Sequence, residues 1–169
     1  MDFIKAKEIL KVIEGLDHNS SGAILEALKL AEHVEQSSKD FYEAEVEKTK
    51  GTELEAFFAF LVIEEKMHLE KILELQKLLK ADKLKNVSFP RNAAPSIHAI
   101  PGGQSELSAI LYGLWREKKA VEFYSSAAEK TTGAVKKFFE ELADFERVHV
   151  ALFEGIMDSM QNVEELIMG

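Results

Sequence analysis

The sequence contains no cysteine, only three prolines and no long uninterrupted apolar segment. The absence of cysteine excludes disulfides, thiolate zinc sites, cysteine-ligated iron–sulfur clusters and a cysteine nucleophile. The longest apolar run, residues 56–63, is far too short to span a bilayer, and the charged N-terminus lacks the apolar core of a signal peptide. The 30 acidic and 21 basic residues give a net charge of −9, which disfavours nucleic acid or an anionic membrane as a partner. We therefore expect a cytoplasmic protein that binds neither.

The positions of the three prolines show how the chain is organised. All three prolines lie between residues 90 and 101, and this stretch separates two regions rich in Ala, Leu, Glu and Lys. In both regions the apolar residues recur at helical spacing, and neither shows the alternation of a strand. The length suits one domain of ordinary size. The sequence thus predicts an all-α protein with four long helices in two hairpins, which is the layout of a four-helix bundle with a crossover.

The predicted boundaries follow from glycines, prolines and helix-capping residues. We expect Ser20 or Ser21 and Ser105 to cap helices, and Gly51 and Gly133 to break them. The predicted domains are an N-terminal segment (1–19) with a short helix (3–14), and a bundle (20–169) made of hairpin one (20–80), a crossover (81–104) and hairpin two (105–161). The four long helices are predicted at about residues 20–50, 52–80, 105–132 and 134–160.

The two hairpins repeat each other in sequence. Residues 35–51 and 117–133 are identical at seven of 17 positions with a constant offset of 82. Residues 57–68 and 138–149 are identical at five of 12 positions with an offset of 81. The identities include Phe-Tyr, Phe-Phe and Glu-x-x-His, which are not simply the residues most common in helices. This pattern indicates an internal duplication.

Ionisable residues interrupt the apolar seams that should face the bundle interior. The second and fourth helices each carry Glu-x-x-His on the seam, and the first and third each carry one Glu there. At about 1.5 Å rise per residue, their distances from the two breaking glycines bring the three groups of each hairpin to one level. If the hairpins pack in register, all six side chains meet in one layer. They are Glu35, Glu65, His68, Glu117, Glu146 and His149.

Such a layer needs compensating positive charge. A buried carboxylate without a partner costs several kcal/mol or becomes protonated, and four together repel one another. Lys and Arg are absent from the seams, so salt bridges do not solve the problem. Two divalent cations would balance four carboxylates and leave both histidines neutral as nitrogen ligands. One Glu from each of two helices and Glu-x-x-His from each of two others is the pattern of di-iron and di-manganese carboxylate bundles. The alternative interpretation is that these residues lie on a solvated helix face.

Other ionisable residues near these positions are weaker candidates. Glu32 lies one turn before Glu35 and is the alternative in the first helix, but the repeat register favours Glu35. Glu64 is expected to face solvent beside Glu65, and Trp115 is assigned no role beyond packing. The histidines outside the motif are not expected to bind metal: His18, His33 and His98.

The region from about residue 20 to 160 resembles the rubrerythrin-type branch of the ferritin-like superfamily. The resemblance implies a ferritin-like four-helix bundle with a dinuclear iron site. The residues that carry it are Glu35 with Phe41-Tyr42, Glu65-x-x-His68, Glu117 with Phe123-Tyr124, and Glu146-x-x-His149.

The resemblance also implies a role for each residue. In that family two glutamates bridge the metals, and the corresponding residues here are Glu65 and Glu146. Tyr42 and Tyr124 would orient carboxylates by hydrogen bonds, the alternative being core residues whose hydroxyls need partners. The resemblance implies that each of the other residues binds one metal ion only: Glu35, His68, Glu117 and His149.

The chain departs from the family pattern in two respects. Full rubrerythrins carry a rubredoxin-like domain with four cysteines, so here the electrons would come from a separate donor protein such as a rubredoxin. Rubrerythrins also carry an extra Glu one turn beyond the third-helix ligand, where this chain has Ala120. In the family this Glu is linked to redox-driven movement of an iron, and its absence counts against efficient peroxide reduction. We expect a simpler and more symmetric site.

The resemblance implies a redox enzyme that reduces hydrogen peroxide or O₂ at two iron ions. The alternatives are a ferroxidase or iron-binding protein, an oxygenase using the same metals, and a metal-free helical interaction module. Carboxylate and imidazole also suit manganese, and zinc can occupy such a site as purified. The long crossover would allow two chains to exchange hairpins, so we expect a homodimer.

Overall fold

The computed structural model describes residues 21–94 and 103–168, with side chains up to residue 159. The predicted N-terminal helix and the residues Ser20, His18 and His98, for which predictions were made, lie outside the described residues. The described part is an all-α four-helix bundle of two helical hairpins joined by a long connection, which confirms the predicted fold class. Its helices are α1 (Ser21–Lys48), α2 (Glu53–Lys80), α3 (Gln104–Glu129) and α4 (Gly133–Met168).

The predicted helix ends lie within three residues of the observed ones, except at the end of α4. Gly51 and Gly133 separate consecutive helices as predicted. Their φ angles are 80° and 59°, which residues other than glycine rarely adopt. The predicted cap Ser105 is wrong, because α3 begins one residue earlier and the Gly103 carbonyl accepts the bond from the Leu107 N–H at 3.1 Å. The predicted end of the fourth helix at residue 160 is also wrong, since α4 continues to Met168 and residues 161–168 contain no proline or glycine.

Two buried apolar clusters lie at opposite ends of the bundle, and each contains residues of all four helices. In the first cluster α1 and α4 contribute their N-terminal halves, while α2 and α3 contribute their C-terminal halves. Representative members are Leu28, Ile72, Tyr124 and Phe139 in the first cluster, and Tyr42, Phe58, Ile110 and Phe153 in the second. Helices α1 and α4 therefore run in one direction and α2 and α3 in the other, and the connection must return along the length of the bundle.

The connection between the hairpins packs against the bundle in its described part. Val87 is buried in the first apolar cluster, and the Phe89 ring lies 5.1 Å from Phe138 and 5.5 Å from Phe145. The Asn92 side chain donates a hydrogen bond to the Glu64 carboxylate of α2. These contacts hold the connection over the groove between α2 and α4. None of the described helices combines the length and apolar character needed to cross a membrane.

Candidate metal centre

The six predicted side chains meet in one layer between the two apolar clusters. All are at most 1% exposed, so water does not screen their charges. Helices α1 and α3 each contribute one carboxylate, and α2 and α4 each contribute a carboxylate and an imidazole one turn apart. The members of the layer are Glu35, Glu65, His68, Glu117, Glu146 and His149.

Each histidine points its Nδ1 atom at three carboxylates. For His68, Nδ1 lies 3.2 Å from Glu35 Oε2 and 3.4 Å from Glu146 Oε1. Its partner one turn earlier, Glu65, places Oε2 at 3.7 Å. The Nδ1 atom of His149 has the equivalent surroundings: Glu146 Oε2 at 3.0 Å, Glu117 Oε2 at 3.5 Å and Glu65 Oε1 at 3.7 Å.

These atoms form two overlapping groups that could each hold a metal ion. Within each group, one atom from every residue lies within 4.8 Å of the others. Glu65 and Glu146 are common to both, whereas each group has its own second carboxylate and its own imidazole. Two neighbouring cations would share two carboxylates in this arrangement, and each would have one further carboxylate and one imidazole of its own. The groups are Glu35, Glu65, His68 and Glu146, and Glu65, Glu117, Glu146 and His149.

Two tyrosines connect the hairpins through the carboxylates. Tyr42 of α1 donates its hydroxyl hydrogen bond to Glu117 of α3, and Tyr124 of α3 donates to Glu35 of α1. Both rings are fully buried. Burial, followed by the charge of Glu117, raises the pKa of Tyr42, and burial with the charge of Glu35 raises the pKa of Tyr124. Both hydroxyls therefore keep their protons and can hold the carboxylates in a fixed orientation.

Protons balance the charges of this layer when no metal is bound. Burial and the charges of Glu35 and Glu146 raise the pKa of Glu65 well above its usual range. Burial and the charges of Glu35 and Glu117 likewise raise the pKa of Glu146 to about 7. Although burial opposes it, hydrogen bonds to Glu117 and Glu146 raise the pKa of His149 to about 10.

The two remaining carboxylates keep their negative charge. Burial favours their neutral form, but the neighbouring Glu65 carboxyl and the hydrogen-bonded His68 outweigh it and lower the pKa of Glu35. Hydrogen bonds with Glu146 and His149 similarly lower the pKa of Glu117 to about 2. The metal-free layer is thus neutralised by protons on its histidines and shared carboxylates. A cation must displace these protons to bind.

Buried atoms without partners test whether a metal fits. Among the described residues, neither oxygen of Glu65 has a hydrogen-bond partner, nor does Oε1 of Glu146. A buried oxygen in this state costs about 1–3 kcal/mol or more. These oxygens belong to the two carboxylates shared by both groups, which is where a bridged pair of cations would contact them. Carboxylate oxygens with imidazole nitrogen suit iron, manganese or zinc, so the donor set fits a dinuclear metal centre.

A comparison with known families finds a match to part of the chain. The rubrerythrin family model matches residues 107–168, a segment that contains Glu117, Glu146 and His149. The chain is similar to rubrerythrins in its second hairpin. No curated protein and no solved structure matches it. The matched segment corresponds to the second hairpin, and the internal duplication repeats its motifs in the first hairpin.

The structure corrects one expectation about the neighbouring residues and supports others. Glu64 was expected to face solvent, which is wrong: it is 3% exposed because the connection covers it and Asn92 bonds its carboxylate. Glu32 lies outside the layer of six ligand side chains, which we call the metal layer, and accepts a hydrogen bond from Gln76 Nε2 at 2.8 Å. His33 is exposed, as predicted.

Sequence reasoning overlooked a buried cation beside the site. Arg116, directly before Glu117, is 3% exposed, and its Nη2 donates to the hydroxyls of Ser37 at 3.1 Å and Ser38 at 3.0 Å. The repeat contained a signal for it, because the corresponding residue at an offset of 82 is Val34, an apolar core residue. An arginine at such a position must be buried or must displace its helix.

The metal-free protein is expected to lose stability as pH rises above 4.5. Between pH 4.5 and about 7 the folded chain keeps the Glu146 proton that the unfolded chain has lost, so the free energy of unfolding falls by roughly 3 kcal/mol. His149 lowers the free energy of unfolding further between pH 6.5 and about 10, because the folded chain keeps the His149 proton that the unfolded chain has lost. Glu117 has the opposite effect, because its pKa is lowered on folding. The stability that it contributes above pH 4.5 is lost as pH falls towards about 2.

The measurement is urea unfolding of the chelator-treated protein between about pH 5 and 8. Metal loading should reverse the slope, because higher pH removes the protons with which the metal competes. A metal-free protein whose stability increases over this range would contradict the protonation state described for Glu146.

Proposed function

We propose that this chain binds two iron ions and reduces hydrogen peroxide or O₂ with electrons from a separate donor protein. The observation that carries the proposal is the pair of overlapping ligand groups that share Glu65 and Glu146. The rubrerythrin match over the second hairpin supports iron in particular. The absence of cysteine from the sequence supports an external electron source.

The chain's own residues would hold the metals and keep the site dry. Glu65 and Glu146 would contact both ions, whereas Glu35 with His68 would complete one ion and Glu117 with His149 the other. When bound, the iron pair supplies electrons and polarises an oxygen substrate. Aromatic rings exclude water at the histidine side of the layer: Phe145 at 5.2 Å and Phe89 at 6.0 Å from the His68 ring, and Phe60 at 6.4 Å from the His149 ring. Reduction of one peroxide to two waters consumes two electrons and two protons.

Peroxide is the proposed first substrate, because of the family that the chain resembles. We expect the chemically reduced, iron-loaded protein to be oxidised faster by peroxide than by O₂ in a stopped-flow experiment at matched concentrations. Glu64→Gln is the matched control, since Glu64 is a buried carboxyl outside both ligand groups, and it should leave the two rates unchanged. A faster reaction with O₂ would overturn the preference for peroxide.

Oxidation of Fe²⁺ itself is the second candidate function. The acidic excess of the chain, with a net charge of −9, would attract Fe²⁺ to the surface. This candidate predicts continued oxidation of added iron well beyond two ions per chain, whereas the peroxide reductase stops at two. The homodimer formed by hairpin exchange and the cytoplasmic location stay predictions.

A further inference from the structure

A row of aromatic rings leads from the metal layer to the protein surface. It starts at Tyr42, whose hydroxyl bonds to Glu117, and continues to the adjacent Phe41 ring at 5.2 Å. From Phe41 the next ring is Tyr112 of α3 at 5.1 Å, and Tyr112 stacks on Trp115 at 5.6 Å with 19° between the planes. We call Tyr42, Phe41, Tyr112 and Trp115 the aromatic row.

The outer end of the row is open to solvent. Trp115 is 43% exposed and Tyr112 is 45% exposed, whereas Phe41 is partly buried and Tyr42 is fully buried. Large rings that remain this exposed beside a buried site lose hydrophobic stabilisation. The outer end of the row is therefore accessible to a partner protein.

The duplicated half of the molecule provides an internal comparison. The inner part of the row is repeated there, because Tyr124 bonds to Glu35 and its ring lies 5.0 Å from Phe123. The outer part is not repeated: at an offset of 82, Tyr112 corresponds to Leu30 and Trp115 to His33. Among the described residues, both halves thus contribute a tyrosine to the ligand layer, but this row of rings continues to the surface in only one half.

Arg116 places a positive charge along the row. Its guanidinium carbon lies 5.5 Å from the centre of the Phe41 ring and 5.7 Å from that of Tyr112. A fixed cation at this distance disfavours removal of an electron from these rings and favours passage of negative charge past them. The other half has Val34 at this position.

We infer that the aromatic row is the route by which a one-electron donor protein, docked over Trp115 and Tyr112, delivers electrons to the metal pair. The inference rests on the proposed function. Electronic coupling falls steeply across gaps and less steeply through atoms in contact, so a row of closely spaced rings is a better route than aliphatic side chains. Two electrons pass in succession for each peroxide reduced, the donor being oxidised by one electron in each step.

The test uses the absence of cysteine to place one photosensitiser at either of two matched positions. Leu111→Cys lies beside Tyr112 and Lys29→Cys beside Leu30, and the two positions correspond at an offset of 82. Both side chains are exposed, at 47% and 53%. A ruthenium complex attached to each cysteine is reduced by a light flash with ascorbate, and electron arrival is followed as loss of the absorption of the oxidised iron pair.

We expect electron arrival from position 111 to be at least tenfold faster than from position 29. Tyr112→Leu introduces the residue found in the other half, so it should slow the transfer from position 111 to the rate from position 29, which itself stays unchanged. Tyr112→Phe keeps the ring and should keep the rate. Equal rates from the two positions, or no effect of Tyr112→Leu, would overturn the inference.

A second readout needs no metal. In the metal-free protein the flash-oxidised label takes one electron from the nearest ring, so it should recover faster at position 111 than at position 29, where the neighbours are Leu30 and His33. Equal recovery would show that Trp115 and Tyr112 are not coupled to the label and would count against the route.

Failure of the route and failure of the proposed function give different results. Reduction by dithionite bypasses the donor, so the reduced parent and Tyr112→Leu proteins should react with peroxide at the same rate. If neither reacts, the proposed function is wrong. If both react while the rates of electron arrival from the label do not differ between positions 111 and 29, only the inferred electron route is wrong.

Discussion

Replacing Glu65 by alanine is expected to abolish binding of both metal ions. Glu65 belongs to both ligand groups, and its two oxygens lie 3.7 Å from His68 Nδ1 and His149 Nδ1 respectively. Its loss removes a shared carboxylate from each ion and leaves the remaining acidic groups free to retain protons. We expect iron content to fall from two per chain to nearly none, and peroxide reduction to fall with it.

Two further variants make this result specific. Glu35→Ala removes a carboxylate that belongs to one group only, so about one ion per chain should remain. Glu64→Gln changes a buried carboxyl next in sequence to Glu65 but outside both groups, and it should keep both ions. Metal analysis after growth with added iron gives the iron content per chain of all three variants directly. If Glu35→Ala and Glu65→Ala lost the same amount of iron, the two-group arrangement would be wrong.

Removal of the metals is expected to cause the second large effect, a loss of thermal stability. Binding to the folded state alone contributes about 4 kcal/mol per site at a metal concentration about 1,000 times the dissociation constant. Two such sites contribute roughly 8 kcal/mol, and each kcal/mol shifts the unfolding temperature by about 2–4 °C in a domain of this size. Chelation should therefore lower the unfolding temperature by about 15–30 °C, measured by calorimetry with and without chelator.

The matched control for chelation is Glu65→Gln/Glu146→Gln, which keeps the side-chain shape and removes two buried carboxyls. This double variant should not respond to chelator. It should also be more stable than the metal-free parent, by about 1–4 kcal/mol, because buried charges and protonated carboxyls are replaced by neutral amides. If the parent did not respond to chelator, the metal-free interaction module would be the better interpretation.

The location of the metal layer was predictable because the helical period is strict. Glu65 and His68 are three residues apart and must share one face, and so must Glu146 and His149. The two breaking glycines set the depth of each side chain along its hairpin. A repeat of the same motif in both hairpins then excluded the interpretation that a charged helix contains Glu-x-x-His by accident.

The helix ends were predicted less well, since they depend on weaker local preferences. Ser105 is a good capping residue, yet Gly103 occupies the capping position of α3. Nothing in the sequence after residue 160 stops α4, which continues to Met168. Boundaries such as these follow from small differences in free energy that neighbouring contacts can reverse.

By itself, the sequence determined the helices, their pairing into hairpins and the six side chains of the metal layer, because all of these follow from local spacing repeated twice. Tertiary structure alone decided which helix faces which: Tyr42 bonds to the ligand of the opposite hairpin, and Glu64 is buried under the connection. It also decided that Arg116 is buried and that Phe41 of α1 meets Tyr112 of α3. Contacts between distant segments depend on the path of the connection and on how the hairpins pack, and no periodicity within one helix specifies either.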